Sequence, residues 1–581
     1  MALFPAYENE LEGKNKNEDK TKENVTWLEN KSFDSTNVAK TLTSSIIPTT
    51  STENKSTKLK ENEEKTQKSP SISPTDTSIQ KDNKNIFYEL CLFLKQAGLY
   101  EYLYVLIKLY TTISLGQEMI SFHGNEQELI EYETLILQSK LPTHELWLRI
   151  EKLRESFHFI PEDNSDDPQR IIFNDELNEL IYPIIDQNNI NKLIIIILNI
   201  YKIPLIPFRN EFNLNNLLNH NNIDVSIELL LPIFISTTNH LSIFNNLIIF
   251  KKYLLIYING PQYINSIGNV QYLDFILNLF KYLINNNNNI NLNIWFIRFQ
   301  RLLLLLNHYK LINLTNKFIK QINKNIHEIL KINNNNIYLY NEYALIKYND
   351  ANEFILNILK ELQQLNDKYL HELLYESYVR LLFWYYDKFN KNIYQLFLHT
   401  LHNGIELYPN NYELLGILLS VETKNDGIVQ PVWKLNKILT KSNECIPILV
   451  LLIIIEERFE YQETIEKKSI ELFGGDCNQY INDQSKYYKL LSLYDKFTKQ
   501  ERIKYCALIW RLYLKFLYKH NKNELCKNIY YIACETCPWF KPLYMDAAVY
   551  IPTELPQIQD LITEKNLRIH ITPEELQVLA T

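Results

Sequence analysis

From about residue 86 onward, apolar residues fall at the spacing of an α-helix and continue to do so to the C-terminus. Near the end, Ile503, Ala507, Trp510, Leu514 and Leu517 step by four, three, four and three, which places them on one helical face. Asn521, Lys522 and Asn523 supply a polar turn. Leu525, Ile529 and Ile532 then read as the apolar face of a second helix, which Pro538 stops. Upstream, Leu339, Tyr340 and Tyr343 recur as Leu374, Tyr375 and Tyr378, each 35 residues on. A helical hairpin repeated at that period matches tetratricopeptide-like arrays. The recurring tyrosines are expected to fill grooves between paired helices. One hairpin cannot bury its apolar face alone, so neighbours must stack. The expected fold is all-α: an α-solenoid of helical hairpins. Residues 86–330 form its N-terminal part, and residues 331–581 its C-terminal repeats and cap.

Composition supports this and removes other classes. The chain has only 11 glycines in 581 residues. Doubly wound sheets and phosphate loops depend on glycine for backbone positions with φ > 0, so a nucleotide-binding α/β enzyme is disfavoured. Net charge is −8, from 60 basic and 68 acidic residues. That balance lacks the general basic excess of a nucleic-acid-binding protein and makes protein partners the default. Seven cysteines and no secretory signal fit free thiols in a reducing compartment. The longest apolar runs, Leu193–Ile200 and Ile446–Ile455, are about half of what a membrane span needs and read as buried helices.

Residues 1–85 contrast with the rest. They hold 13 lysines against 14 acidic residues and few large apolar side chains. Such a segment cannot bury enough surface to offset its ordering entropy, so a disordered N-terminal arm is expected. Within it, Leu3–Tyr7 and Trp27–Phe33 are apolar islands, with Phe4, Pro5, Trp27, Leu28 and Phe33 as candidate partner contacts. Asparagine runs at 285–289 and 333–336 are expected in turns, because asparagine competes for helix backbone bonds.

A search for reactive chemistry finds little. The chain has no phosphate-binding glycine loop, no paired-histidine zinc motif and no nucleophile elbow. No catalytic, cofactor-binding or metal-binding residue is assigned, and no enzyme is expected. Cys534 and Cys537 form the single Cys-x-x-Cys, but no second pair of zinc ligands accompanies it, so a structural role is expected. Asp166, Asp167, Asp175 and Glu176 cluster around Pro168, with Arg170 between them. Asp167, Arg170 and Asp175 are candidates for structure or partner contact. Trp295 through Arg301 interleaves aromatic and basic residues. It reads either as a core helix with a solvated edge, the favoured reading, or as an RNA contact by stacking and charge.

Several motifs share one resemblance. They are Trp27-Leu28 with Ser32-Phe33; Phe93 to Gly98; Leu146-Trp147 with Glu151 to Ser156; Asp167-Pro168-Gln169-Arg170 with Phe173 and Asp175; and the closing phrase. That phrase holds Cys537-Pro538-Trp539, Leu543 to Ala547, Leu561 to Arg568, and Glu574-Glu575-Leu576. In this order they resemble the nuclear RNAi-defective-two family, nuclear adaptors built from half-a-TPR (HAT) repeats. The resemblance implies a non-catalytic nuclear scaffold in RNA surveillance, RNA-mediated silencing and splicing. Its implied partners are the exosome-associated DExH helicase and splicing factors; direct RNA contact is left open, and no membrane or cofactor is implied. In larger members a helicase-binding region follows the N-terminal box, whereas here only about fifty low-complexity residues separate Phe33 from Ile86. The alternative is a HAT-repeat scaffold of spliceosome assembly or pre-mRNA 3′-end processing.

Overall fold

The computed structural model describes most of residues 86–116, 126–159, 170–204, 226–235, 243–333, 368–388, 394–423, 445–458 and 480–580, with Asn336, Leu339, Glu342 and Tyr343 between. Among these residues the regular structure is helical and no strand occurs. The chain runs through α1 (86–96), α2 (Tyr100–Leu115), α3 (Glu126–Gln138), α4 (Thr143–Ser156) and α5 (Gln187–Ile200). It continues through α6 (Leu231–Ile235), α7 (Ile243–Tyr257), α8 (Asn269–Asn286), α9 (Ile290–His308) and α10 (Asn316–Ile332). Then come α11 (Lys368–Lys388), α12 (Tyr394–Leu407), α13 (Tyr412–Thr423), α14 (445–458) and α15 (Tyr480–Thr498). The last helices are α16 (Ala507–Lys519), α17 (Asn523–Thr536), α18 (Lys541–Met545), α19 (Ala547–Tyr550), α20 (Leu555–Glu564) and α21 (Pro573–Ala580). The N-terminal arm and islands expected from the sequence, residues 1–85, lie outside the described residues.

Consecutive helices pair as hairpins: α3 with α4, α8 with α9, α11 with α12, and α16 with α17. The fold is an all-α solenoid of such hairpins. Ala507, Trp510, Leu514 and Leu517 are buried on α16 as expected, but Ile503, also buried, sits in the turn before the helix, and Leu508, Ile509, Leu512, Tyr513 and Phe516 are buried as well, so α16 is enclosed on most of its surface. The second helix of that hairpin turns a different face inward. Cys526, Tyr530, Ala533 and Cys534 are buried along α17, whereas Ile532 is exposed. Tyr375 is half-buried against the core, but Tyr378, expected to fill a groove, is exposed. The runs Leu193–Ile200 and Ile446–Ile455 are buried throughout, as expected for helices that are apolar on all sides. No helix among the described residues is long and apolar enough to cross a membrane.

The array also turns back on itself. Helix α7 packs on α13 and meets α14 and α16 through side chains. The Tyr253 hydroxyl donates to Glu456 at 2.8 Å, Lys252 pairs with Glu457 at 2.7 Å, and Arg511 stacks on the Tyr257 ring. At the far end, α19 and α21 lie against α4. The terminal hairpin therefore has more than its chain neighbour to lean on, and contacts join residues on either side of position 330. The first and last helices meet in a seam.

Candidate functional site

The seam is where charged groups leave water. Its floor is α4, whose Leu146, Trp147, Ile150 and Leu153 are buried and fix the helix rotation. That rotation turns Glu151 inward, Arg154 to one side and Glu155 to the other. The approach to α2 is set by Gly98, at φ +79°. A Cβ there would sit 2.3 Å from Cδ of Lys541, so both the left-handed backbone and the missing side chain are required. One residue earlier, the Ala97 carbonyl accepts from the Arg568 amide at 3.2 Å, tying the first helices to the last segment.

Lys541 enters from α18 with its side chain 1% exposed. Its ammonium donates to Glu151 at 2.8 Å and to Glu155 at 3.2 Å. His570 sits between two carboxylates: Nδ1 lies 2.9 Å from Glu151 and Nε2 lies 3.0 Å from Glu101. Glu151 also accepts the amides of His570 and Ile571, at 2.9 and 3.0 Å. Burial raises a carboxyl pKa. At Glu151 the charges of Lys541 and His570 outweigh burial, and at Glu101 those of Arg568 and His570 do, so both groups stay well below the usual carboxylate range. Burial also opposes the Lys541 charge, and Glu151 with Glu155 reverses that and raises it. At the rim, Arg154 forks onto Glu575 at 2.6 and 3.0 Å, reaches Glu133 at 2.6 Å, and donates to the His570 carbonyl at 2.8 Å.

An imidazole between carboxylates is acid–base machinery in many enzymes. Here the side chains of Glu101, Glu151, Lys541 and His570 are at most 3% exposed and bonded to one another. The cavity beside them, lined by Lys95, Tyr100, His158 and Tyr272 among others, has room for about one water molecule. The arrangement holds two distant parts of the chain together.

The residues singled out in the sequence fall near this seam, on α9, or outside the described residues. Phe4, Pro5, Trp27, Leu28, Phe33 and Asp167 lie outside. Arg170 is buried and donates to the Phe157 and Arg154 carbonyls, each at 3.3 Å, satisfying the C-terminal end of α4. It thereby supports the helix that carries the rim arginine. Asp175 is exposed on a single helical turn, Asn174–Leu177, while its neighbour Glu176 accepts from the Tyr102 hydroxyl at 2.9 Å. Cys534 and Cys537 are buried free thiols, and burial pushes Cys534 up to about 12. Trp295 is buried and donates to the Pro204 carbonyl at 2.8 Å, while Arg298 lies 2.9 Å and Arg301 3.9 Å from Glu342. That stretch is a core helix whose charged edge is paired.

Sequence reasoning missed Glu101, Lys541 and His570 as a group. Their partners lie 390 to 469 residues away, and no local pattern announces such pairs. One signal was present. The motifs behind the family resemblance, three of them between residues 93 and 176 and the last at 537–576, more than 350 residues further on, adjoin in the fold at this seam.

These features define a helical-repeat protein whose ends are locked together by buried charge. Over 180 residues the chain is 28% identical to nuclear exosome regulator NRDE2 of Mus musculus and 29% identical to the protein of the same name from Homo sapiens. These similarities support an NRDE2-like family. The matched stretch covers 31% of this chain and 15% of either relative. No family model matches the chain, and no solved structure gives a significant match.

Proposed function

We propose that this chain is a non-catalytic nuclear scaffold that regulates the RNA exosome, acting with its DExH helicase and with splicing factors in RNA surveillance and silencing. The observation that carries this reading is the seam. The residues that resemble nuclear exosome adaptors meet there and close the helical array into a braced frame, with most of their polar groups bonded to one another. A frame of this kind presents surfaces and offers its buried charges to no substrate. The similarity to two proteins named as nuclear exosome regulators supports the same reading. The apolar islands Leu3–Tyr7 and Trp27–Phe33 supply docking motifs, since short aromatic motifs in polar arms bind partner grooves with modest affinity.

The test is a comparative pull-down from nuclear extract, read by mass spectrometry, with the full chain and with a chain lacking residues 1–40. The full chain should capture exosome helicase and splicing factors, and the shortened chain should fold normally and lose at least one of them. Capture of pre-mRNA cleavage factors alone would replace this reading with a scaffold of 3′-end processing. Identical partner lists from both chains would remove the docking role of the islands.

A further inference from the structure

Among the described residues, α10 is a long surface helix whose outer face is rich in lysine. Its buried side carries Ile322, Ile326, Ile329 and Leu330, which pack toward α9. Its outer side carries Lys317, Lys320, Lys324, His327 and Lys331, all exposed. These five step by three, four, three and four. At about 100° per residue they fall within an arc of about 80°, and they extend over about 21 Å of helix axis. Neighbouring cationic positions are therefore about 5 Å apart in a straight row. Glu328 is the only acid on the helix, and it reaches Lys324 at 3.8 Å with both side chains more than half exposed. Such an exposed pair is worth little, so Lys324 can exchange Glu328 for a competing anion. The N-terminus of α10 is fixed by Thr315, which accepts the Phe318 amide at 3.3 Å, so the row is presented on an ordered helix.

We propose that the outer face of α10 is a binding ridge for the phosphate backbone of single-stranded RNA. Three features favour that partner. The ridge is linear and carries four lysines along its length, as suits a strand that carries one negative charge per nucleotide. The residues beside the lysines on the exposed surface are amides, Asn316 and Gln321, which hydrogen-bond phosphate and sugar. An anionic membrane would need a strip of Trp, Phe or Leu alongside the cations, and the apolar side of α10 is already buried on the protein. The ridge also stands in a chain of net charge −8, so its positive field is local and selects where an RNA strand can lie. Arg298 and Arg301, the pair suggested by the sequence, are engaged by Glu342, and the exposed positive charge lies one helix further on. This inference goes beyond the scaffold reading, because a scaffold can regulate the exosome without touching RNA itself.

The experiment uses the full chain and a fluorescein-labelled oligouridine of roughly ten nucleotides, followed by fluorescence anisotropy across a salt series. Four phosphate contacts on a single strand predict a slope of log affinity against log salt of about −3. The variant Lys317→Glu/Lys320→Glu/Lys324→Glu should weaken binding by at least about tenfold and flatten that slope to about −1. All three positions are exposed, so circular dichroism and thermal melting should match the parent. The control Lys489→Glu/Lys496→Glu/Lys499→Glu places the same charge change at exposed positions on α15 and in the turn just after it, and should bind like the parent. Absence of binding by the parent, equal binding by parent and ridge variant, or equal loss in both variants overturns the proposal. A polyglutamate competitor that displaces the RNA at equal charge concentration would make the ridge a docking site for acidic protein, and overturns it as well. The pull-down described above is unaffected by any of these outcomes, so the two readings fail separately.

Discussion

Replacing Lys541 by methionine tests the seam most directly. Methionine keeps most of the side-chain length and removes the charge. The lost ammonium is 1% exposed and sits between Glu151 at 2.8 Å and Glu155 at 3.2 Å. Breaking a buried pair by removing one partner costs about 3–5 kcal/mol, because the remaining charge stays buried without compensation. Glu151 keeps the amides of His570 and Ile571 and the His570 ring. The lower end of that range, about 3 kcal/mol, is therefore expected. The loss should appear locally, as an opening of the segment from Arg568 to Leu576 away from α2 and α4. Hydrogen exchange reads it: amide protection in peptides covering that segment should fall by roughly a hundredfold, since about 1.4 kcal/mol is tenfold. The Arg568 amide, bonded to the Ala97 carbonyl, should follow, while α10 should keep its protection. Unchanged protection at Arg568 to Ile571 would mean that apolar packing alone holds the seam. Uniform loosening across every helix would mean that Lys541 supports the whole fold, and the local lock would be refuted.

Two further outcomes follow from the core. Trp510→Ala should destabilise the C-terminal hairpin by about 3–5 kcal/mol, because a buried indole is lost and the Lys504 carbonyl it binds at 2.6 Å loses a donor; an unchanged melting temperature would refute its core role. His158 is buried, and burial lowers its imidazole to about 4. Its folded pKa lies below the unfolded value of about 6.5, so its contribution is complete above that pH and is lost as pH falls from about 6.5 to 4. Denaturant titrations should show up to about 3 kcal/mol of lost stability across that window. An NMR titration placing His158 near 6.5 in the folded chain would refute the assignment.

What the sequence made legible was periodicity, and what it concealed was choice of face and choice of partner. The helix that carries Ala507, Trp510, Leu514 and Leu517 was readable from its apolar spacing, but Leu508, Ile509, Leu512, Tyr513 and Phe516 between them are buried too, so spacing found the helix and did not define one inner face. On α17 two stripes compete. Leu525, Ile529 and Ile532 look more apolar, but Cys526, Tyr530, Ala533 and Cys534 are smaller or flatter, and the hairpin closes on them. Close helix approach rewards shape as well as hydropathy, so the larger isoleucine at 532 is left outside. Tyr378 fails for a related reason: a repeat offset fixes where a residue falls along the chain, and the neighbouring helices decide which side is covered. Arg298 and Arg301 looked available for RNA because Glu342, which takes both, lies more than forty residues downstream.

The seam explains why such scattered motifs carried a resemblance while the long Ile- and Asn-rich middle did not. In that middle, one aliphatic residue packs about as well as another of similar volume, so the sequence can drift without changing the core. At the seam each group needs particular partners at particular positions. Glu101 needs His570 and Arg568, Glu151 needs Lys541 and two backbone amides, and Gly98 must lack a side chain for Lys541 to pass. A purely apolar contact between the first and last helices would slide by a turn at little cost. Displacing the Arg568–Ile571 segment takes both cations from Glu101 and two backbone amides and the imidazole from Glu151, which leaves buried carboxylate charge under-compensated at a cost of several kcal/mol. The buried charges therefore add modest net stability and a strict register. That register sets how α2 and α4 stand against α18 to α21, and with it the single closed arrangement in which the outer surfaces of the array are presented.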